Sequence, residues 1–160
     1  MKLLTYKIVD LFFKLLNRIL IVFIKPDMVF DSVKSLNIDI IEKLKAEHNI
    51  EAAILDVDET LRTNFNTIPK YNWEWIKELK KHVKVIVVSN GLDSEVGKHF
   101  NQIGIEYIPI AFKPLKRGFK KACRILDVNP ENVIVIGNDL WGDIYGGKRN
   151  NMKTALIENV

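Results

Sequence analysis

Two aspartates one residue apart, Asp56 and Asp58, are the first residues in this chain whose types and spacing could do chemistry. They follow the apolar run Ala52-Ala53-Ile54-Leu55 and precede Glu59-Thr60-Leu61. Carboxylates this close repel one another unless a cation or a shared proton lies between them. Their hard oxygens suit Mg2+. Further candidates lie downstream. Ser89-Asn90 follows the apolar run 83–88, Lys113 precedes Pro114, and Gly137-Asn138-Asp139 follows the run 132–136, with Asp143 beyond. Several acids, one hydroxyl and one lysine are what phosphoryl transfer requires. Acids hold Mg2+, which neutralises phosphate oxygens. A hydroxyl and a lysine hold the remaining oxygens. A carboxylate can serve as nucleophile.

Bringing such scattered residues together is the task of the elements that carry them. Four apolar residues in a row before Asp56 predict a strand over 52–57 buried on both faces, as in a parallel sheet. Further strands are predicted over 83–88, 106–108, 132–136 and 154–157. Between them run helical patterns over 31–48, with a break near Asn37, over 73–82 with Asn72 as cap, and from Asp93 or Ser94 to about residue 101. Residues 115–127, with Leu115, Phe119, Ala122, Ile125 and Leu126 facing inward, and 140–149 complete the set. Strands alternating with helices predict an α/β protein of βαβ units with right-handed crossovers and a mostly parallel three-layer sheet. The carboxyl ends of its strands share one edge, so the candidate groups should meet there.

The motifs Asp56-Val57-Asp58-Glu59-Thr60-Leu61, Val88-Ser89-Asn90, Lys113-Pro114 and Gly137-Asn138-Asp139-Leu140-Trp141-Gly142-Asp143 resemble, in order, the four motifs of the haloacid dehalogenase superfamily. Within it the chain is similar to the YqeG family of subfamily IIIA phosphatases. Lys25-Pro26-Asp27 and Asp143-Ile144-x-Gly146-Gly147-x-Arg149-Asn150 add to that likeness. The resemblance spans roughly residues 25–160 and implies a Rossmann-like fold and an Mg2+-dependent phosphomonoesterase acting through an aspartyl-phosphate. Asp56 would be the nucleophile and a metal ligand. Asp58 would be general acid, then base, with its carbonyl on the metal. Ser89, Asn90 and Lys113 would bind phosphate, and Asp143 would complete the metal site together with Asn138 or Asp139. The family pattern has an acid where this chain has Asn138, which leaves the ligand open between Asn138 and Asp139. An acid two residues after the nucleophile favours phosphate chemistry over dehalogenation.

Thirty residues separate Asp58 from Ser89, and a loop and a helix already occupy them. The stretch from Asn90 to Lys113 is likewise taken by a helix and a strand, so no substantial cap domain is expected.

At 160 residues the chain has the size of one ordinary domain. Its net charge of +4 fits an anionic substrate or an anionic membrane surface, and no nucleic-acid partner is expected. A single cysteine, Cys123, excludes an internal disulfide framework and a multi-cysteine zinc site. His48, His82 and His99 read as surface residues without metal spacing. Residues 1–25 form a separate region from 26–160. Their polar residues, Lys7, Asp10, Lys14, Asn17 and Arg18, recur every three or four positions in an otherwise apolar stretch. That spacing predicts an amphipathic helix lying in a membrane interface, or one packed on the domain or buried in a dimer.

An open site and a membrane-seeking N-terminus converge on a lipid phosphomonoester. The YqeG family resembles mitochondrial phosphatidylglycerophosphate phosphatases, which implies that lipid as substrate, a role in phospholipid and cardiolipin synthesis, and a peripheral position on the cytoplasmic or matrix face of a membrane. The alternatives are a soluble phosphatase of sugar phosphates, nucleotides or phosphoproteins, and a non-catalytic module tethered to a membrane.

Overall fold

The structure is a computed structural model, and it describes residues 23–64 and 66–160. The expected helix over 1–25 falls almost wholly outside the described residues. Among the described residues no helix is long and apolar enough to cross a membrane.

A six-stranded, wholly parallel sheet forms the centre. Its strands are β1 (Met28–Phe30), β2 (Ala52–Leu55), β3 (Lys84–Val88), β4 (Glu106–Ile108), β5 (Val133–Gly137) and β6 (Lys153–Ile157), in the order β1-β6-β5-β2-β3-β4. Strand β2, which leads to Asp56, lies between β5 and β3, whose own carboxyl ends carry Asn138 and Ser89. The helices are α1 (Ile38–His48), α2 (Lys70–His82), α3 (Ser94–Gln102), α4 (Lys116–Leu126) and the short α5 (Gly146–Lys148), which continues a π-helical turn over Leu140–Tyr145.

Alternate residues of each strand point to opposite faces. Ala53, Leu55, Val85, Val87, Ile134 and Ile136 pack against Leu44, Ile76, Leu79, Val96 and Phe100 of α1, α2 and α3. Ala52, Ile54, Ile86, Val88, Val133 and Val135 pack against Phe119, Ala122 and Cys123 of α4. Burying side chains of this size contributes about 1.5–3 kcal/mol each. Both faces are covered, which is why the strands read as unbroken apolar runs.

The expected elements are present with several differences. Strand β1 was not foreseen; it is three residues long and sits at the sheet edge, too short for a periodic signal. Asn37 breaks the 31–48 pattern because it caps α1, its Oδ1 accepting from Ile40 N at 3.1 Å. Helix α2 starts at Lys70, so Asn72 is not its cap. Asn72 is instead buried and donates to the Leu61 carbonyl at 2.8 Å, fastening the loop after Asp58. Ile125 does not face inward, because it lies off the face carrying Phe119, Ala122, Cys123 and Leu126, and Leu115 precedes the helix as its exposed cap. No inserted domain interrupts the 14 residues between β2 and α2.

Asp27 fixes the edge strand. Its Oδ2 accepts from the Thr154 N–H at 2.9 Å and the Thr154 hydroxyl at 2.8 Å, and its Oδ1 accepts from Lys148 at 2.9 Å. Burial works against the charged form, but the bonds from Lys148 and Thr154 outweigh it and hold the carboxyl below its ordinary value.

Candidate active site

Asp56 is the first residue beyond β2, and its N–H extends the ladder to the Ile136 carbonyl at 3.0 Å. The side chain is nearly buried and accepts from two polar groups. The Lys113 ammonium donates to Oδ1 at 2.6 Å, and the Thr60 hydroxyl donates to Oδ2 at 3.0 Å. That hydroxyl lies 3.2 Å from Asn138 Oδ1.

Lys113 also reaches Asp143 Oδ1 at 2.5 Å, so one ammonium lies between two buried carboxylates. Burial penalises the ammonium, but the charges of Asp143 and Asp56 outweigh that and raise its pKa above the ordinary lysine value. Asp143 has the opposite fate. Complete burial lifts it, Lys113 only partly restrains the rise, and the charges of Asp56 and Asp139 add to it, so that it reaches about 7. Gly137 makes room for this carboxylate: a Cβ there would stand 2.2 Å from Asp143 Oδ2.

The adjacent Asn138 and Asp139 part company. Asn138 turns toward Thr60, whose hydroxyl is also bonded to Asp56. Asp139 caps the following turn, its Oδ1 accepting from Trp141 N at 3.0 Å, while its own N–H donates to Asp143 Oδ2 at 3.1 Å. Of the two, Asn138 directs its oxygen to the Thr60 hydroxyl and Asp139 to the backbone of the following turn. Among the described residues no three acids, histidines or cysteines form a metal-holding group. What converges is two carboxylates and a carboxamide.

Asp58 lies on the outer side. Arg62 donates to its Oδ1 through Nε at 2.8 Å and to Asp93 Oδ2 through Nη1 at 2.8 Å. The Arg62 side chain is only 3% exposed. Burial disfavours its charge, but Asp93 and Asp58 more than compensate and raise its pKa. Ser89 is buried at the end of β3, with its Oγ accepting from Gly91 N at 3.0 Å. Asn90 holds the Lys113 backbone from both sides: its Oδ1 accepts from the N–H at 2.6 Å and its Nδ2 donates to the carbonyl at 3.2 Å. Its side-chain amide is therefore committed to positioning Lys113.

The sheet thus gathers Asp56, Asp58, Ser89, Lys113, Asn138 and Asp143 at one edge, as the topology implies. Sequence reasoning gave no role to Thr60 or Arg62, and read Asp93 only as a possible helix start, which it is. A hydroxyl four residues after Asp56 and a guanidinium four after Asp58 were the available signals.

Residues 33–151 match the hydrolase family described as haloacid dehalogenase-like hydrolase, and the chain belongs to that family. It is, within the family, a phosphatase. Over 119 residues it is 38% identical to the Bacillus subtilis (strain 168) protein named "Probable phosphatase YqeG", covering 72% of this chain and 68% of that one. It is 26% identical over 131 residues to a glyceraldehyde 3-phosphate phosphatase of Pyrococcus furiosus, covering 74% of this chain but only 55% of that relative. The fold resembles the cobalt-bound deoxy-D-mannose-octulosonate 8-phosphate phosphatase of Haemophilus influenzae with a TM-score of 0.51 and 17% identity, over 68% of this chain and 78% of that one. A non-catalytic module, one of the alternatives weighed above, gives way to an enzyme.

Proposed function

We propose that the chain is a divalent-metal-dependent phosphomonoesterase that works through an aspartyl-phosphate on Asp56 and acts on a lipid phosphomonoester, phosphatidylglycerophosphate. The observation that carries the chemistry is the buried Asp56–Lys113–Asp143 cluster at the carboxyl edge of the sheet, with Asp58 two residues from Asp56.

The donor chemistry fits a hard divalent cation. Oxygens of Asp56, Asn138 and Asp143, with the Asp58 carbonyl, suit Mg2+. The raised pKa of Asp143 marks a cluster in which carboxylates outnumber the cationic charge of Lys113. Asn138 would contribute an oxygen without charge, so the metal would be held less tightly than by three acids. When bound, it neutralises phosphate oxygens.

In this reading an Asp56 oxygen attacks phosphorus, and the bond from phosphorus to the alcohol oxygen breaks. Asp58 gives that oxygen its proton. Asp58 then takes a proton from the water that displaces Asp56 and releases inorganic phosphate. Ser89 and Lys113 hold the transferring oxygens. Arg62 fixes Asp58, and Thr60 orients Asp56.

The lipid reading rests on the absence of an inserted domain over the site and on the amphipathic pattern of residues 1–25, ahead of a phosphatase domain over 26–160. It places the enzyme peripherally on an inner membrane face. The relative named glyceraldehyde 3-phosphate phosphatase favours a second reading, a small soluble phosphate ester.

The full chain and Asp56→Asn, assayed with Mg2+ on phosphatidylglycerophosphate in mixed micelles, glyceraldehyde 3-phosphate and p-nitrophenyl phosphate, separate these readings. The expected result is the highest kcat/KM on the lipid, abolished by the substitution. A higher kcat/KM on glyceraldehyde 3-phosphate overturns the lipid assignment. Activity no greater than that of Asp56→Asn on every substrate overturns the mechanism.

A further inference from the structure

Large apolar side chains stand exposed around the mouth of the site. Leu92 follows Ser89-Asn90-Gly91, Ile110, Phe112 and Leu115 flank Lys113, and Trp141 follows Asn138-Asp139. Leu92 is 72% exposed and Phe112 63%, and the other three lie between 44% and 55%. The loops after β3 and β4 are bound together, with Ile110 N donating to the Gly91 carbonyl at 3.2 Å and Asn90 clamping Lys113.

The backbone itself turns these side chains outward. Ile110 and Phe112 have φ values of 49° and 53°, a left-handed conformation that β-branched and bulky residues rarely adopt. Between and beside them, Ala111 and the Lys113 ammonium are buried. Residues held in such conformations cluster at functional surfaces, and a contiguous exposed apolar patch marks an interaction site.

We propose that this rim is the surface by which the active site docks on a phospholipid bilayer. Where the chain enters the described structure supports that occupant. Ile24 packs against Leu140 and Ile144, in the same turn that carries Trp141. Phe23 and Ile24, where the described residues begin, therefore lie beside the rim, and the sequence before them is apolar with polar residues, three of them basic, every three or four positions. Lys116 and Arg117 are exposed directly after Leu115, in reach of anionic headgroups. Trp141, half exposed and stacked on Tyr145 at 4.5 Å, is the residue type that prefers the level of the headgroups. The docked arrangement would present a phosphomonoester to Asp56 from the membrane plane. Only this last step rests on the lipid reading of the substrate; docking itself does not.

The test uses the full chain and the double variant Leu92→Ser/Phe112→Asn, asparagine being chosen because it tolerates left-handed backbone. Binding is read by co-sedimentation with vesicles of equal parts phosphatidylcholine and phosphatidylserine, and oligomeric state by light scattering. Rates are read on p-nitrophenyl phosphate and on phosphatidylglycerophosphate in the same vesicles. The expected result is vesicle binding weakened at least about tenfold, a matching loss on the vesicle-borne lipid, and an unchanged rate on p-nitrophenyl phosphate. The single variants Leu92→Ser and Trp141→Gln carry the same expectation in smaller measure, so a folding defect in the double variant does not shield the proposal. Unchanged vesicle binding in all three overturns it. So does a wild-type dimer that the variants dissociate while vesicle binding persists, which would assign the rim to a second copy of the chain. Rim-dependent binding without lipid hydrolysis in vesicles or micelles supports the docking surface and removes the lipid substrate.

Discussion

Arg62 donates its Nε–H to Asp58 Oδ1 at 2.8 Å and, from the same buried guanidinium, its Nη1–H to Asp93 at 2.8 Å. The carboxylate proposed to shuttle the proton is thus held by a buried guanidinium that also holds Asp93. Arg62→Gln keeps the bulk of the side chain and loses the fork. We expect kcat on p-nitrophenyl phosphate to fall on the order of tenfold with KM nearly unchanged. Stability should fall by about 2 kcal/mol, because charged hydrogen bonds to two acids are lost. Steady-state kinetics and thermal melts check both, and an unchanged kcat removes Arg62 from the positioning of Asp58.

If Asp143 ligates the metal as proposed, metal binding should depend on pH. Its folded-state pKa is raised from 3.8 to about 7. The stability this gives the metal-free protein is fully present below the unfolded value near 3.8 and is lost as pH rises through about 7. Below that upper value a proton competes with the cation. Calorimetric Mg2+ titrations at about pH 6 and about pH 8 should show proton release and weaker affinity at the lower pH. Asp143→Asn should abolish both the pH dependence and most of the affinity.

Asn138→Asp introduces a third acid beside Thr60 and Asp56. The Mg2+ concentration for half-maximal activity should fall about tenfold, since ligand charge sets the affinity of such sites. Asp139→Asn should leave it nearly unchanged, because that side chain caps the turn at Trp141. The reverse pattern would move the ligand role to Asp139.

Asp27→Asn tests the edge strand separately from catalysis. The two bonds from Thr154 and the ion pair with Lys148 are charge-assisted. Their weakening should cost about 1–3 kcal/mol in denaturant unfolding while kcat on soluble substrate is retained. The Asp27 pKa is depressed, so its contribution is present above the unfolded value of 3.8 and is lost as pH falls through the folded one. The difference between wild type and variant should shrink in acid.

The sheet and its active edge were legible because both rest on local patterns. Unbroken apolar runs such as Ala52–Leu55 mark strands covered on both faces, and each run ends in its own polar residues. Features decided by contacts distant in sequence were not legible. Arg62 meets Asp93, 31 residues away, only after β2 and β3 have paired. Helical periodicity put Leu115 inside, but the helix begins one residue later, and Leu115 stays outside as its cap. Asn138 and Asp139 are neighbours whose side chains diverge by turn geometry, which composition does not encode. The three residues of β1 are specified by Asp27 and β6 more than by their own pattern.

The clamp of Asn90 on the Lys113 backbone has a mechanical meaning. Ser89 and Lys113, the proposed anion-holding groups, move together because the residue after one grips the main chain of the other. Asp56, Asn138 and Asp143 belong to the β2–β5 side, joined through Thr60 and the Ile136 carbonyl. The two groups of residues face each other across the β2–β3 pairing, and the Lys113 ammonium reaches from one to the carboxylates of the other. Loosening the Asn90 clamp would free the Lys113 main chain, while the in-register pairing of β2 with β3 keeps Asp56 and Ser89 at a fixed spacing.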